Sequence, residues 1–418
     1  MSRDYSLTDE ILKRHYVERP EALQRLYIDE FPLQAIMPKK TDLGGSYWEI
    51  AMIEAPVPSS SATFAATQSQ SQGASSKTPK YSVTPIRKYA LCQIDGMEEA
   101  ATEQDINALI DAVKLETEQK DYDFKFTLET QLMRNGSGKI ATMTTYSTTT
   151  ATLADASETA LFMPGMKCVF AADEASAARN SGVTRTVSSV SPSTSQVVFT
   201  ASLAGGDSIG TTDSIFRYGD YLNASDRLCV TGLGGWNPQT APSSSENFFG
   251  KDRSLDEFRL SGPRYDGTTN NENILDTINN GLALAHTFGS KPDLILIGTQ
   301  QAGKLLAYLR GNVVYNVINA INEEGELLAD VGFETIDFYT PTAGKISVMV
   351  TPFAVYNLGK GIRLEKWRLG SMGGCPRILP SGGDLTVYNA DAREYRVGFY
   401  GNAGCYNTLH NVAFKFMT

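Results

Sequence analysis

The chain has 418 residues, with 37 lysine and arginine residues against 47 aspartate and glutamate residues, a formal net charge of −10. That shortage of positive charge argues against a protein whose main task is to grip a phosphate backbone. Its 41% hydrophobic and 20% charged residues are typical of a folded protein with a sizeable core. The sequence contains no apolar run of about 18 residues, the length that predicts a membrane-spanning helix. The first dozen residues also lack the apolar stretch of a signal peptide.

Cysteine and histidine are too scarce and too scattered for the common catalytic and metal sites. The cysteines never form a Cys-x-x-Cys pair, so we expect reduced, mostly buried thiols rather than a metal ribbon or a redox motif. The sequence therefore predicts a structural protein that is not an enzyme, with no catalytic, cofactor-binding or metal-ligating residues. The residues concerned are Cys92, Cys168, Cys229, Cys375, Cys405, His15, His286 and His410.

The first two regions predict arms rather than a core. Region 1–40 mixes short helical patterns with prolines and carries balanced charge, which favours a docking arm over a nucleic-acid-binding arm. Region 41–95 predicts an extended β-hairpin, with strands at 47–54 and 81–91. The residues between them, 58–79, are mostly Ser, Thr, Ala and Gln, so we expect this tip to be mobile. Because an isolated hairpin is only marginally stable in water, it needs a surface to lie on. The alternative is a disordered loop insertion.

Region 96–138 contains the clearest helix. The capping pattern of Thr102 and Asp105 starts it, and Asn135-Gly136 ends it, so the sequence predicts a helix over 102–134. At 1.5 Å per residue it spans roughly 50 Å, the length of a spine on which other elements lie. One apolar stripe is predicted, formed by Ile106, Leu109, Ile110, Val113, Thr117, Phe124, Leu128 and Leu132.

The regions after the spine predict a β module followed by an α+β unit. Region 139–222 has short strand patterns separated by turn signals, typical of a small inserted barrel or sandwich. Region 223–271 predicts a linker with a long loop, 272–375 an α/β domain, and 376–418 a return to the spine-helix domain. The predicted helices are 272–288 and 299–310, and the predicted strands are 167–170, 184–190, 196–200, 214–217, 293–297, 346–351, 353–358, 386–388, 395–402 and 411–416.

One segment imitates a nucleotide site. Gly298 to Lys304 fits G-x-x-x-x-G-K between a predicted strand and a predicted helix, the setting of a phosphate-binding loop. Leu305 stands where that motif requires Ser or Thr to hold Mg²⁺, and no further glycine loosens the loop. A P-loop-like NTPase is therefore a minor alternative.

In this order of units the chain resembles the tailed-phage major capsid proteins of the Hong Kong 97-type fold, which also includes encapsulin shells. Local stretches add to the resemblance: residues 132–138 at the end of the spine, Asp252-Arg253-Ser254 with Leu260-Ser261-Gly262, residues 292–296, and Tyr395 to Gly401 near the terminus. The resemblance implies an α+β capsid fold with an N-terminal arm, an extended hairpin, a spine helix, an inserted β domain and an axial domain. It covers about four fifths of the chain, and each motif alone is weak.

The resemblance also implies a function. The subunit would self-assemble into an icosahedral shell around a phage genome, with pentamers and hexamers joined by exchange of hairpin arms. Its partners would be scaffolding, portal and decoration proteins and double-stranded DNA bound without sequence preference. It would reside in the virion capsid, and in the host cytoplasm during assembly. The candidate subunit-contact residues are Tyr47, Trp48, Phe64, Lys77, Lys80, Tyr81 and Arg87.

Other interpretations of the function stay open at this point. An encapsulin-like compartment is the nearest, and the chain's length and β module favour a virion over it. A Ser/Thr-rich surface-layer or tail protein is favoured by residues 139–250 alone. Some members of the resembled family join subunits through a Lys–Asn isopeptide bond; Lys77 and Lys80 lie in the corresponding arm, and ordinary solvated lysines are the simpler interpretation.

Overall fold

A computed structural model describes residues 31–54, 60–71, 78–95, 97, 112–203, 209–221, 228–312, 335–340, 344–379, 385–386 and 391–417. Most of the predicted N-terminal arm and the beginning of the predicted spine helix lie outside these residues. The α-helices are α1 (Pro32–Ile36), α2 (Phe64–Ser71), α3 (Ala112–Met133), α4 (Leu233–Trp236), α5 (Glu257–Ser261), α6 (Ile274–Thr287) and α7 (Thr299–Asn312). The strands are β1 (Lys39–Lys40), β2 (Trp48–Ala51), β3 (Lys80–Val83), β4 (Ile86–Asp95), β5 (Lys139–Tyr146), β6 (Thr150–Leu153), β7 (Lys167–Ala171), β8 (Arg185–Ser191), β9 (Gln196–Phe199), β10 (Ser214–Arg217), β11 (Arg264–Asp266), β12 (Leu294–Ile297), β13 (Thr335–Thr340), β14 (Gly344–Val350), β15 (Leu358–Ile362), β16 (Trp367–Ser371), β17 (Arg377–Leu379), β18 (Leu385–Thr386), β19 (Ala392–Cys405) and β20 (Val412–Lys415).

The first sheet is organised by the long strand β19. Strand β4 pairs with it antiparallel over ten residues, and β16, β17 and β18 pair along its other side, with β1 beyond β16. Residues alternate between two faces along each strand. Cys92, Val397 and Phe399 are buried on the face that packs against α3. This sheet is therefore the layer that covers the spine helix.

Helix α3 is buried more fully than the predicted single stripe implies. Phe124 and Leu128 are buried as predicted, and so are the polar residues Glu129, Thr130 and Gln131 on the other sides of the helix. The reason is that the first sheet packs on one side of α3 while α1 and α4 pack on others. The second half of the spine is thus a central core element rather than a surface helix.

The inserted β module is a closed barrel with the strand order β10-β5-β6-β9-β8-β7. The four strands predicted within 139–222 are present, and the Thr-rich strands β5 and β6 complete the ring. Phe170 and Phe199 meet in its centre with ring centroids 5.5 Å apart, beside the buried Ile215. Closure leaves no exposed sheet edges, which suits a small domain without other cover.

The second sheet has the order β11-β20-β15-β12-β14-β13 and carries α6 and α7. Ile278 of α6 and Leu305 of α7 pack with Ile295 and Phe414 of the sheet in a separate apolar core. The predicted strand at 353–358 is wrong: this stretch forms turns, and the strand begins at Leu358. Asn357 adopts a φ of 54°, a left-handed conformation that an extended strand cannot contain.

Sheet membership differs from the predicted regions at three places. Strand β11, from the predicted linker 223–271, and β20, from the predicted return 376–418, both lie in the second sheet. Strand β16, from the predicted domain 272–375, lies in the first sheet. The cause is long-range pairing, because β20 fills the place between β11 and β15 and buries Phe414 there.

The predicted hairpin forms, with one correction to its return strand. Strands β2 and β3 pair antiparallel, with Trp48 opposite Val83. The return strand predicted at 81–91 is interrupted at Pro85, which has no N–H to donate, and its second half becomes β4 of the first sheet. Within the tip predicted to be mobile, α2 covers Phe64–Ser71, where Thr63 Oγ1 accepts the Ala66 N–H at 3.3 Å.

Candidate subunit-interaction surfaces

The base of the hairpin is fixed to the body of its own chain. Ile50 and Tyr81 have no exposed surface, and Trp48 is 8% exposed. The Tyr81 hydroxyl donates to the backbone oxygen of Leu260 at 3.0 Å, and its ring lies 5.3 Å from that of Trp236. Burial raises the pKa of the Tyr81 phenol, so it remains a neutral donor. The hairpin therefore projects from a rigid base.

The other face of the hairpin is exposed. Tyr47, just before β2, is 60% exposed, and Ile53, just after it, is 78% exposed. Glu49 lies on the exposed side of β2 and faces Lys80 of β3, with Oε2 and Nζ 3.8 Å apart. We call Tyr47, Glu49 and Ile53 the hairpin face; it combines large apolar side chains with a carboxylate.

A second exposed surface covers the side of the first sheet away from α3. Tyr89 and Leu91 of β4 are 53% and 51% exposed, and Arg87 is exposed beside them. The strand register places Arg87 opposite Tyr400 and Leu91 opposite Arg396. We call this the outer sheet face, and its members are Arg87, Tyr89, Leu91, Arg377, Arg396 and Tyr400.

Aromatic and guanidinium groups of the outer sheet face are stacked on one another. The rings of Tyr89 and Tyr400 are 5.8 Å apart, and the Arg377 guanidinium lies 5.0 Å from the centre of the Tyr400 ring. Arg396 pairs with Glu394. A groove of about 560 Å³ separates this face from the base of the hairpin and is lined by Pro85, Met372 and Tyr400, among others. In a chain of net charge −10, this apolar and mainly basic surface is unusual.

A third patch lies near the end of α6. Leu255 is 78% exposed and Phe288 is 43% exposed. The Phe258 and Phe288 rings are 4.5 Å apart, and the Arg264 guanidinium is 5.9 Å from the Phe258 ring. This cluster is an apolar surface on the unit that contains the second sheet.

The sequence-predicted contact residues divide into three groups. The side chains of Trp48 and Tyr81 are buried in the chain's own core. Their prediction as contact residues is corrected, because they have almost no surface to offer a neighbour. Tyr47, Phe64 (84% exposed), Lys80 and Arg87 are exposed, so their contact role stays a prediction. Lys77 lies outside the described residues. The exposed residues that the sequence did not single out are Ile53, Tyr89 and Leu91, and Tyr400 beside them is half-buried.

The motif that imitates a phosphate-binding loop does not form a loop. Strand β12 ends at Ile297 and α7 begins at Thr299, so Gly303 and Lys304 are already helical. The Lys304 ammonium donates to the backbone oxygen of Met417 at 3.2 Å. The residues between Gly298 and Lys304 therefore do not form the extended loop that surrounds a phosphate in that motif.

The cysteines are sequestered rather than reactive. None of the five forms a disulfide bond; four are buried, and Cys375 is half-buried. Burial raises the pKa of Cys168 and of Cys405 to about 12, which keeps both thiols protonated at neutral pH.

In the described part of the chain, no three His, Cys, Asp or Glu side chains are grouped to hold a metal ion. The helices described there are also too short or too polar to span a bilayer.

Comparison with known proteins identifies the fold. The sequence matches no protein-family model and no curated protein. Solved structures do match, and the fold of this chain is similar to that of a phage capsid chain.

The particular structure that carries this assignment is a chain of the cyanophage A-1(L) capsid. It is 11% identical, with a TM-score of 0.55, and the match covers 96% of this chain and 97% of that one. A capsid chain of a native GTA particle matches over 100% of both chains at 7% identity and a TM-score of 0.47. The SrpI encapsulin of Synechococcus elongatus matches over 100% of this chain and 99% of its own, at 8% identity and a TM-score of 0.47. The cyanophage match has the highest of these TM-scores, and the resemblance inferred from the sequence is confirmed at the level of the fold.

Proposed function

We propose that this chain is the structural subunit of a closed icosahedral capsid shell that encloses a phage genome. The observation that carries the proposal is the fold, shared with the cyanophage capsid chain over nearly the full length of both. Double-stranded DNA held without sequence preference, assembly in the host cytoplasm and residence in the virion capsid belong to the same proposal. So do scaffolding, portal and decoration proteins as partners.

The contact between copies is proposed to join the hairpin face of one subunit to the outer sheet face of the next. Ile53 and Tyr47 offer apolar surface that matches Tyr89 and Leu91, and burying such a side chain contributes roughly 1.5–3 kcal/mol. Glu49 supplies a carboxylate for the arginines of the opposing face. Each isolated subunit leaves both faces exposed, which is the state expected of a chain that finishes its packing with identical copies.

Rings of subunits are proposed to form through the unit that contains the second sheet. In this arrangement the predicted domain 272–375 meets its copies around five-fold and six-fold axes. The exposed Leu255 and Phe288 supply apolar contact area on that unit. Contacts repeated around a closed ring sum to a large assembly free energy even where each one is modest.

Electron microscopy of the expressed chain tests the proposal. Closed shells of uniform size are expected, with nucleic acid inside particles recovered from infected cells. Particles that contain an enzyme cargo and no nucleic acid would instead favour the encapsulin-like alternative. A chain that stays monomeric at high concentration, with and without added scaffolding protein, would remove the shell proposal.

Deletion of residues 58–79 tests the arm separately. The shortened chain should fold, because the base of the hairpin is anchored by β2, β3 and the buried Tyr81, yet form no closed shells. Tyr218→Ser is a suitable control, since Tyr218 is 60% exposed at the end of the barrel, far along the chain from the arm. Normal shells from the deletion variant would contradict the role of the arm.

A further inference from the structure

A cleft of about 510 Å³ lies where the end of α3, the barrel and the second sheet meet. Met133 lines it from α3, Glu158 from the barrel and Lys360 from β15. Its volume is within the range of small-ligand sites. It is separate from the three interaction surfaces described above, so the proposed function leaves it without a role.

Lys360 is the most unusual group in this cleft. Its side chain is almost completely buried, with 5% of the residue exposed, and its ammonium donates to the backbone oxygen of Asn237. It forms no ion pair with any other described residue. Burial lowers the pKa of Lys360 to about 7, and the like charge of Arg264 adds to the shift. A lysine has three N–H donors, so two remain for a further acceptor.

Arg134 is a second incompletely satisfied cation on the same cleft. It is 8% exposed, and its Nη2 atom lies 3.5 Å from Oε1 of Glu158, at the limit of a hydrogen bond. Its buried Nε atom has no acceptor among the described residues. Buried arginine donors are costly to leave unpaired, because their desolvation is not compensated.

The carboxylates of Glu174 and Asp155, which also line the cleft, already accept hydrogen bonds from other groups. Glu174 pairs with Lys139 at 3.0 Å and accepts a hydrogen bond from Asn135. Asp155 accepts the Ser157 N–H at 3.0 Å and also its hydroxyl.

Two further groups bear on anion binding in the cleft. Burial raises the pKa of Glu158, the charge of Arg134 opposes that shift, and the Glu158 carboxyl group lies beside the Arg134 guanidinium. Gln239 has a buried Oε1 without a donor, and rotation of that amide presents N–H groups instead. What the cleft lacks is an acceptor for the buried Arg134 Nε atom and for the N–H groups of Lys360 that Asn237 does not accept.

We infer that this cleft binds an oxyanion, either a carboxylate or a phosphate group, through Lys360 and Arg134. The incoming negative charge favours the ammonium form of Lys360, so binding takes up a proton from solvent at slightly alkaline pH. The oxyanion also supplies the acceptor that the Arg134 Nε atom lacks. The site does not depend on shell assembly, and it is tested on the unassembled subunit.

Isothermal titration of the full chain with inorganic phosphate and, separately, with acetate tests the site. Measurements at pH 8 in two buffers of different ionisation enthalpy report proton uptake. We expect binding of at least one probe with net proton uptake, and the responding probe identifies the oxyanion class. Failure of both probes to bind, or binding without proton uptake, would overturn the inference.

Variants connect the binding to the two cations. Lys360→Met should weaken it roughly 30-fold or more and abolish proton uptake. Arg134→Gln should weaken it while keeping the uptake, so the inference remains testable even if one variant folds poorly. The matched control is Lys366→Met, at a half-buried lysine that pairs with Glu365 near the surface. Equal binding by Lys360→Met and the wild type would exclude the site.

Discussion

The backbone N–H of Leu33 donates to Oε1 of Glu129 at 2.7 Å, across 96 residues of sequence. The next N–H, that of Gln34, donates to Oε2 of the same carboxylate at 3.0 Å, and the Gln34 side-chain amide donates to the backbone oxygen of Lys125. One fully buried acid on the spine helix therefore holds the first turn of α1. The contact fixes where the N-terminal segment joins the body of the subunit.

The first prediction concerns the pH dependence of this contact. Burial raises the pKa of Glu129 to about 7, although the two N–H donors partly oppose the shift. The folded state therefore binds the proton more tightly than the unfolded state. The contribution of Glu129 is fully present below its ordinary pKa of 4.5 and is lost as the pH rises to about 7. The loss amounts to about 3 kcal/mol of unfolding free energy.

Glu129→Gln removes this titration and should change the stability profile accordingly. Relative to the wild type, the free energy of unfolding of the variant should rise by about 3 kcal/mol as the pH increases from 4.5 to 8. Urea unfolding of the unassembled chain measures this difference. Glu118→Gln, at an exposed position of the same helix, is the control and should leave the profile unchanged. A pH-independent difference between Glu129→Gln and the wild type would contradict the prediction.

The second prediction concerns the base of the hairpin. A Cβ atom added at Gly404 would lie 2.5 Å from Cη2 of Trp48, so the indole must move when this glycine becomes alanine. Gly404→Ala should destabilise the chain by about 1–3 kcal/mol and expose Trp48 to acrylamide quenching. Gly303→Ala is the matched control, because nothing lies within 4 Å of its added Cβ atom and alanine favours the helix. Equal quenching in both variants would refute the packing described here.

Local patterns in the sequence predicted several elements correctly. The helix predicted at 272–288 is present as α6, and Asn273 stabilises its start through a side chain that accepts the Asp276 N–H. The strand β12 follows from four consecutive apolar residues. The placement of β20 beside β11 did not follow, because it depends on pairing between residues such as Arg264 and Ala413, far apart in sequence. Local periodicity contains no information about such partners.

The candidate contact residues were only partly predictable, for a related reason. Alternation along β2 places Trp48 and Ile50 on one face and the charged Glu49 on the other. Glu49 indicates which face is exposed, but nothing local in the sequence shows what covers Trp48. Space for the Trp48 ring is left by Gly370 and Gly404, which lie more than 300 residues further along the chain.

The third prediction concerns Arg253, which organises the long segment predicted as a loop. Its guanidinium pairs with Glu246 through Nε and Nη2, donates to the backbone oxygens of Gly235 and Trp236, and lies 3.7 Å from the centre of the Phe248 ring. Only 2% of the residue is exposed. Arg253→Met should lower the free energy of unfolding by roughly 3–5 kcal/mol, because it leaves the Glu246 carboxylate without its cation.

Lysine should not rescue this position. An ammonium group cannot reproduce the planar fork that bonds Glu246 and two carbonyl groups at once. The urea concentration at the midpoint of unfolding should therefore be nearly the same for Arg253→Lys as for Arg253→Met. Arg259→Met is the control, since its 53% exposed side chain pairs with Asp256 at the surface and should cost no more than about 1 kcal/mol. Full stability of Arg253→Lys would show that charge alone is sufficient.

The last prediction tests which surfaces meet between subunits. In the proposed contact, Glu49 of the hairpin face approaches the arginines of the outer sheet face, of which Arg87 is exposed. Glu49→Arg and Arg87→Glu each place like charges in that contact, so each should lower the yield of closed shells while urea unfolding of the subunit stays unchanged.

The two substitutions combined in one chain restore opposite charges and should recover shells. One exposed ion pair is worth about 0.2–1 kcal/mol, but a shell repeats it at every contact, so the yield should respond steeply and less so at high salt. Lys167→Glu, at an exposed barrel position, controls for the change in net charge. If the double variant assembles as poorly as the single ones, Glu49 and Arg87 do not face each other, and a different surface receives the hairpin.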